Sequence, residues 1–460
     1  MIGSFAGRRV LVVGLGISGH AAAVALAGLG ARVRVTELSD GPEVERRALE
    51  LRAIGVEVET GGHHLGALEA DLAVVSPGIP PSAPVLEELA RRAVPVISEL
   101  ELGAHLARAE LIAVTGTNGK TTTTSLIAAM LEAAGIETLA AGNIGLPLTE
   151  AAGRVGPGGA IVVEASSFQL ALTETFHPRV AVILNIAEDH TDWHGSADAY
   201  GRAKARITAN QGPDDVLVAN RADPRVWDIA LTSAARVVPF SSERVPEGGA
   251  GPEGGWLVCG GRRVLELAEL PLPGRAGLED AAAACAAACS YGLRADALAA
   301  TLRAFRPLSH RLEVVARVGG VDYIDDSKAT NPHATLAALR GLSQVVLIAG
   351  GRSKGIDLSP LRAAVPPVVA AVVIGEAAAE LEQVFDGLVP VARAATMDEA
   401  VRAAAGLARP GGSVLLSPAC ASLDMYQSYA ERGRDFTRAV RALTGAPAGA
   451  GASGRERNGG

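Results

Sequence analysis

The chain has 460 residues, a length that suggests about three domains. Its 48% hydrophobic and 20% charged residues can fill several cores, and a net charge of −8 argues against nucleic acid or an anionic membrane as the main partner. No apolar run approaches the roughly 20 residues of a membrane span, and the opening Met-Ile-Gly-Ser-Phe-Ala-Gly-Arg-Arg leads into a strand and does not read as a signal peptide.

In chain order, residues 8–13 read as a first strand and 31–35 as a second, separated by Gly14-Leu15-Gly16-Ile17-Ser18-Gly19 and an Ala-rich helix. Glu37, placed to hold ribose hydroxyls, completes the pattern of a dinucleotide-binding fingerprint. The same β-α-β corner binds many nucleotides, and a purely structural tight turn is the competing reading. The apolar run 72–75 leads into Ser76-Pro77-Gly78-Ile79-Pro80, a strand-end loop of the kind where ligands of open α/β sheets gather. The first domain is expected to close near residue 103.

Residues 111–122, Leu-Ile-Ala-Val-Thr-Gly-Thr-Asn-Gly-Lys-Thr-Thr, organise the middle of the chain. An apolar strand ends in a small polar turn, and Lys120 and Thr121 then begin a helix-forming stretch that continues over 125–134. Glycine lets backbone N–H groups approach an anion, and the positive end of a helix adds to their attraction. In that reading Lys120 reaches the terminal phosphates and the Thr121 hydroxyl faces Mg²⁺. Val114 stands where the usual motif has its first Gly, so this is a variant loop, Gly116-x-x-Gly119-Lys120-Thr121. An ordinary strand–turn–helix with an incidental lysine is the alternative.

Downstream, Gly142-Asn143-Ile144-Gly145 is a turn, 160–164 a buried strand ending in Glu164, and 180–185 a strand running into Glu188-Asp189-His190. Glu and His at strand ends beside a phosphate loop suit Mg²⁺, although either residue alone could simply face solvent. Residues 241–262, rich in Gly, Pro and Glu, read as an exposed loop or hairpin. An Ala-rich helix is expected over 279–290, and Phe305-Arg306-Pro307 marks a boundary. Strands at 345–349, 369–374 and 413–416 imply a further parallel sheet. From residue 446 the chain is of low complexity and expected to be disordered.

The four cysteines, Cys259, Cys285, Cys289 and Cys420, make no zinc spacing. Cys285 and Cys289, one helical turn apart, suit small core residues in a reducing cytosol. Of 42 basic residues only four are lysine: Lys120, Lys204, Lys328 and Lys354. In a chain that otherwise uses arginine, each marks a place for a compact ammonium or a modifiable amine. Lys204 lies in the helical stretch 200–207, Lys328 in Asp325-Asp326-Ser327-Lys328-Ala329-Thr330-Asn331, and Lys354 in Gly350-Gly351-Arg352-Ser353-Lys354-Gly355. The last two loops both follow strands.

These stretches together resemble the Mur ligase family, over essentially the whole chain to about residue 442. The carriers are Thr115-Gly-Thr-Asn-Gly-Lys-Thr-Thr122, Glu164-Ala-Ser-Ser-Phe-Gln169, Asn185-Ile-Ala-Glu-Asp-His190 and Tyr200-Gly-Arg-Ala-Lys204. They continue with His310-Arg311, Asp326-Ser-Lys-Ala-Thr-Asn331 and Leu416-Ser-Pro-Ala-Cys-Ala-Ser-Leu-Asp424. The Asp-Ser-Lys-Ala-Thr-Asn and Ser-Pro-Ala-Cys-Ala-Ser stretches point to the D-glutamate-adding branch. The resemblance implies an α/β chain of three domains: a Rossmann-like UDP-substrate-binding domain over 1–103, a central P-loop ATPase-like, ATP-binding domain over 104–306, and a C-terminal Rossmann-like, amino-acid-binding domain over 307–445, with 446–460 as the tail.

It also implies ATP-dependent ligase chemistry in peptidoglycan precursor synthesis. The carboxylate of UDP-N-acetylmuramoyl-L-alanine attacks the ATP γ-phosphate, and the amine of D-glutamate attacks the resulting acyl phosphate. By resemblance, Gly116, Thr117, Asn118, Gly119, Lys120, Thr121 and Thr122 hold the phosphates, while Asp280, Arg311 and Asp326 hold the adenosine side. Thr121 and Glu164 serve one Mg²⁺, and His190 with a carbamylated Lys204 a second. Lys328, Thr330, Lys354, Ser422, Leu423 and Tyr429 cradle D-glutamate. Gly14, Leu15, Gly16, Ile17, Glu37 and Ser76 meet the UDP group, and Asn143 the muramoyl part. Lys120, His190, Lys204 and Lys328 carry the catalytic roles. A cytoplasmic monomer without nucleic-acid or membrane partners is expected.

There are departures. Where the family carries Gly-x-His-Asn-x-x-Asn, this chain reads Gly274-Arg275-Ala276-Gly277-Leu278-Glu279-Asp280. Glu37 stands where Asp is usual, and Tyr429 where Phe is usual. Two other readings compete: a nicotinamide-dependent dehydrogenase, resting on residues 14–19 and Glu37, and a catalytically silent nucleotide-binding relative, motivated by the altered 274–280 segment.

Overall fold

Near-continuous apolar runs such as Leu11-Val12-Val13, Ile161-Val162-Val163 and Val345-Val346-Leu347-Ile348 suit strands covered on both faces. All of these residues are 2% exposed or less. The computed structural model describes residues 4–63, 69–187, 189–272, 274–306, 309–353 and 355–443. Glu188, Lys354 and the expected tail 446–460 lie outside the described residues. The chain divides into two compact units: residues up to 270 with 278–305, and 271–277 with 306 onward.

Within the first unit, β1 (Arg9–Val13), β2 (Arg32–Thr36), β3 (Glu57–Glu59), β4 (Leu72–Val75) and β5 (Val96–Ser98) form a parallel sheet in the order β3-β2-β1-β4-β5. The chain leaves β1 to one side and returns to the other, so the strand order reverses between β1 and β4, where Val13 pairs with Val75. The C-terminal ends of strands at such a switch point are the ligand crevice of open α/β sheets.

A second sheet holds β6 (Glu110–Thr115), β7 (Thr138–Gly142), β8 (Ala160–Glu164), β9 (Val180–Ile183), β10 (Val216–Asn220), β11 (Arg236–Phe240), β12 (Ala250–Glu253), β13 (Trp256–Cys259) and β14 (Arg262–Glu266). Its order is β14-β13-β12-β11-β10-β9-β6-β8-β7. It is parallel as far as β12 and antiparallel through the last two strands. Its switch point falls at β6, which is flanked by β8 and β9.

The 241–262 stretch is therefore a hairpin extending this sheet. Gly254 and Gly255, both at positive φ, make the two-residue turn. The strands are not exposed as their Gly/Pro/Glu content suggested: Ala250, Leu257 and Val258 are buried. One helix starts where the sequence placed it, at Lys120, and another starts earlier than its composition indicates. The helix after the phosphate loop runs Lys120–Ala133, because its threonines, poor helix formers, are held by burial of Thr121 to Thr124. The Ala-rich helix runs Gly274–Tyr291, beginning directly after Pro273.

In the second unit, β15 (Glu313–Val318), β16 (Val321–Asp325), β17 (Val345–Gly350), β18 (Val368–Ile374), β19 (Val391–Arg393) and β20 (Ser413–Leu416) form a sheet in the order β15-β16-β20-β17-β18-β19. It is parallel except for β15. No described helix is long and apolar enough to cross a membrane.

Candidate active site

The first crevice is built by the turn after β1 and the loop after β4. A Cβ on Gly19 would lie 1.9 Å from the Gly14 carbonyl oxygen, so the Ile17–Gly28 helix can close onto the turn only with glycine there. Ser76 Oγ donates to that carbonyl at 3.2 Å. Glu37 Oε2 accepts the Leu15 backbone N–H at 2.6 Å and Oε1 that of Ser39 at 2.9 Å. Burial raises the Glu37 pKa, but these N–H groups outweigh it and hold the carboxyl below the usual range. A cleft of about 440 Å³ opens here, lined by Gly16, Ile17, Ser18, Ser76 and Pro77 on one side and Gly142, Asn143, Ile144, Gly145, Pro147 and Gln169 on the other. The fold thus brings Gly16, Ile17, Ser76 and Asn143 to one cavity, with Gly14, Leu15 and Glu37 supporting its floor.

Asn143 links this cleft to the end of β8, which pairs with β6, the strand leading into the phosphate loop. Its side-chain amide donates to Glu164 Oε1 at 2.8 Å, and its backbone N–H to the Glu164 carbonyl at 2.8 Å. Glu164 Oε2 is buried and has no hydrogen-bond partner among the described residues. An unpartnered buried carboxylate oxygen is costly unless a cation completes it, so the site fits a metal ion. Thr121 is buried at the start of the adjoining helix.

The loop itself is held from two sides. Asn185 Oδ1 accepts the Asn118 N–H at 2.8 Å, and its Nδ2 donates to the Asn118 carbonyl at 3.2 Å. Thr117 N–H donates to the Asn185 carbonyl at 2.9 Å. Gly119, at φ +84°, caps the helix that begins with Lys120. Lys120 Nζ donates to the carbonyls of Gly116 and Thr117, both at 2.9 Å. Lys204 Nζ reaches the same Gly116 oxygen at 2.7 Å and lies 4.5 Å from the Tyr200 ring centroid.

Lys204 is 1% exposed. Burial, reinforced by the Lys120 charge, drives its pKa well below the ordinary lysine value, against the opposing pull of Asp189 and Glu164. A neutral amine is the form that can be modified. His190, at φ +50°, is half-exposed with Nε2 3.6 Å from Asp189, and its ring lies 6.2 Å from that of Tyr200. Asp280, expected on the adenosine side, is buried against Gly119, with Oδ1 3.4 Å from Thr123 Oγ1.

In the second unit, the strand ends of β16, β17 and β20 assemble another cluster. Lys328 Nζ sits 5.1 Å from the Tyr429 ring centroid, joining two expected D-glutamate contacts. Ser422 is buried, Thr330 half-buried and Leu423 exposed. Asp326 accepts from Ser417 Oγ at 2.8 Å and from the Leu312 N–H at 3.3 Å, and the Arg311 charge acts on it. Burial nevertheless pushes the Asp326 pKa up to about 7.

Sequence reasoning overlooked Arg432 and gave Gln169 no role beyond its place in the Glu164–Gln169 stretch. Arg432, 1% exposed, donates to Ser327 Oγ and to the carbonyls of Ser327, Cys420 and Gly350, tying together the three strand-end loops. Burial lowers its pKa to about 10, leaving it charged at neutral pH. Only one arginine among many, it had no local signal. Gln169 lines the cleft with a buried Nε2 that has no partner among the described residues, while its Oε1 completes a capping box with Ser166. Its signal was present as Ser166-Ser-Phe-Gln169, the spacing of that motif.

A phosphate loop at one sheet's switch point, with a ligand cleft at another's, defines a nucleotide-dependent α/β enzyme. Residues 8–98 match the Mur ligase MurD-like N-terminal domain, 114–288 the Mur ligase middle domain, and 310–420 the Mur ligase glutamate ligase domain. The chain is 44% identical over 452 residues to the UDP-N-acetylmuramoylalanine–D-glutamate ligase of Frankia casuarinae, covering 96% of each chain. It is 43% identical to the protein of the same name from Pelotomaculum thermopropionicum, covering 96% of this chain and 99% of that one. The chain belongs to the Mur ligase family.

Among solved structures it is similar to a UDP-N-acetylmuramate-alanine ligase from Thermotoga maritima, with TM-score 0.58, 19% identity, and coverage of 95% of this chain and 100% of that one. A pseudomurein peptide ligase type C from Methanothermus fervidus matches with TM-score 0.58, 17% identity and the same coverage. Both share the fold.

Proposed function

We propose that this chain is the ATP-dependent ligase that adds D-glutamate to UDP-N-acetylmuramoyl-L-alanine in peptidoglycan precursor synthesis. Its 44% and 43% identical relatives carry that name. The structural observation that carries the reading is the Asn143–Glu164 bond, which joins the substrate cleft to the end of β8, beside the strand that leads into the phosphate loop. A UDP-sugar lying along the cleft would bring its carboxylate to the terminal phosphate of ATP.

In the reaction, a carboxylate oxygen attacks the γ-phosphorus and ADP leaves. The D-glutamate amine then attacks the acyl carbon, phosphate leaves, and the amine gives up a proton. Both transition states concentrate negative charge, so fixed donors and cations do most of the work. Residues 116–122 supply backbone N–H groups and Lys120 a point charge. Lys328 and Tyr429, with Thr330, Lys354, Ser422 and Leu423, are proposed to hold D-glutamate, and Arg311, Asp326 and Asp280 the nucleotide.

Thr121 and Glu164 would hold one Mg²⁺, and His190 with Lys204 a second, the bound ions neutralising phosphate charge. Lys204 suits carbamylation because burial and the Lys120 charge lower its pKa and so favour the neutral amine. Its lone pair adds to CO₂, a proton is released, and the new carboxylate is an oxygen ligand that arginine could not provide. We place the enzyme in the cytoplasm, where its nucleotide substrates are made, and expect a monomer. The test is phosphate release by the purified chain: it requires ATP, UDP-N-acetylmuramoyl-L-alanine and D-glutamate together. Retained nucleotide binding without any phosphate release would favour the silent relative instead.

A further inference from the structure

The turn that carries His190 also reaches the loop after β4. Trp193 and His194 donate their backbone N–H groups to the His190 carbonyl at 3.1 and 3.0 Å, so indole and imidazole ride on one turn. Trp193 Nε1 donates to the Ile79 carbonyl at 3.1 Å, across 114 residues of chain. Ile79 belongs to the Ser76–Pro80 loop, and its Cδ1 would lie 3.3 Å from a Cβ on Gly14, so it sits directly over the glycine turn of the first crevice. Ser76, Ile79, Phe168 and Trp193 line one small pocket. The Phe168 ring lies 5.0 Å from that of Trp193 and, edge-on, 4.8 Å from that of His190. A half-buried indole usually finds some acceptor for its N–H. Here the acceptor belongs to the substrate loop, and the ring behind it leans, through Phe168, on His190.

We propose that Trp193 is a positioning residue for the UDP-substrate: its N–H pins the Ser76–Pro80 loop, and its ring, through Phe168, braces the His190 turn. The inference rests on the reading that the first crevice takes the UDP-sugar and that His190 serves a metal. The carboxylate to be activated and the phosphate it attacks must come within about 3–3.5 Å of each other. A loop free to drift from the His190 turn spreads that distance, and the pinned one holds it.

The experiment uses the full chain as wild type, Trp193→Phe and Trp193→Ala. Calorimetric titration gives the Kd for UDP-N-acetylmuramoyl-L-alanine, and phosphate release gives the Mg²⁺ concentration for half-maximal rate and the KM for each substrate. Trp193→Phe keeps a ring beside Phe168 and loses the N–H. Its Kd for the UDP-substrate should rise about fivefold, the scale of one hydrogen bond, with the Mg²⁺ requirement and the KM for D-glutamate unchanged. Trp193→Ala also loses the ring, and should in addition raise the Mg²⁺ requirement about tenfold, the lower end for a group that supports a metal ligand. A wild-type Kd in Trp193→Phe, or an equal rise in KM for all three substrates, overturns the inference, because a merely structural indole would not single out the UDP-substrate. An unchanged Mg²⁺ requirement in Trp193→Ala overturns the bracing of His190. Wild type that binds the UDP-substrate but releases no phosphate overturns the ligase reading, and the Kd values of the variants still decide the role of Trp193. Wild type that does not bind the UDP-substrate overturns both.

Discussion

Lys204 shows how much one residue's chemistry depends on its surroundings. Its ammonium would be costly in this buried site beside Lys120, so its pKa is driven well below the ordinary lysine value. Lys204→Arg puts a permanent charge where a neutral, modifiable nitrogen is needed. We expect kcat to fall by roughly 100-fold, the scale of losing a group that supports a metal, with no recovery in added bicarbonate. Near wild-type turnover by this variant would exclude the carbamate.

Asp326 presents the opposite case, an acid raised to about 7 by burial. The unfolded carboxyl titrates at about 3.9, so the folded state binds this proton more tightly. The stability it contributes is complete below the unfolded value and is lost as pH rises through the folded one. Thermal denaturation across that window should therefore show a shallower fall in Tm for Asp326→Asn than for wild type. Parallel curves would contradict the assignment.

At the level of elements, loops are fixed by side chains that arrive from elsewhere. Asn185, just beyond β9, satisfies both the N–H and the carbonyl of Asn118. Asn185→Ala should raise KM for ATP roughly tenfold through the two lost hydrogen bonds, leaving KM for D-glutamate unchanged; steady-state kinetics with each substrate varied separates the two. Arg432 does for the second unit what Asn185 does for the first. Replacing it with Met leaves three buried carbonyls short of a donor and should cost about 2–3 kcal/mol in urea unfolding.

Neither tether could be read from local sequence, because each partner is distant along the chain: Ser327 is far from Arg432, and Asn118 from Asn185. Strand runs and glycine turns were legible, since apolar period and turn chemistry are local. The start of the Lys120–Ala133 helix was legible too, directly after the glycine turn, although burial of its threonines, not their propensity, holds it. The 250–259 hairpin was one of two readings of its Gly and Pro content, and Gly254-Gly255 signalled the turn, but the burial of its strands was not legible. The placement of Asp280 against Gly119 required coordinates.

For the whole molecule, the same design recurs in three sheets: parallel strands deliver polar loops at their C-terminal ends, and the chemistry gathers where strand order reverses. The Gly14–Gly19 corner, which alone would suit a dehydrogenase, lies in a chain whose relatives are UDP-N-acetylmuramoylalanine–D-glutamate ligases. The four lysines retained among 42 basic residues mark this economy. Of these, Lys120 and Lys204 converge on the Gly116 carbonyl, and Lys328 stacks on Tyr429. The central claim is tested most directly by measuring phosphate release and product mass together, omitting one substrate at a time. The account predicts one phosphate for each D-glutamate joined to UDP-N-acetylmuramoyl-L-alanine, and none when any of the three substrates is left out. Phosphate release without D-glutamate incorporation, or no release with all three present, would contradict it.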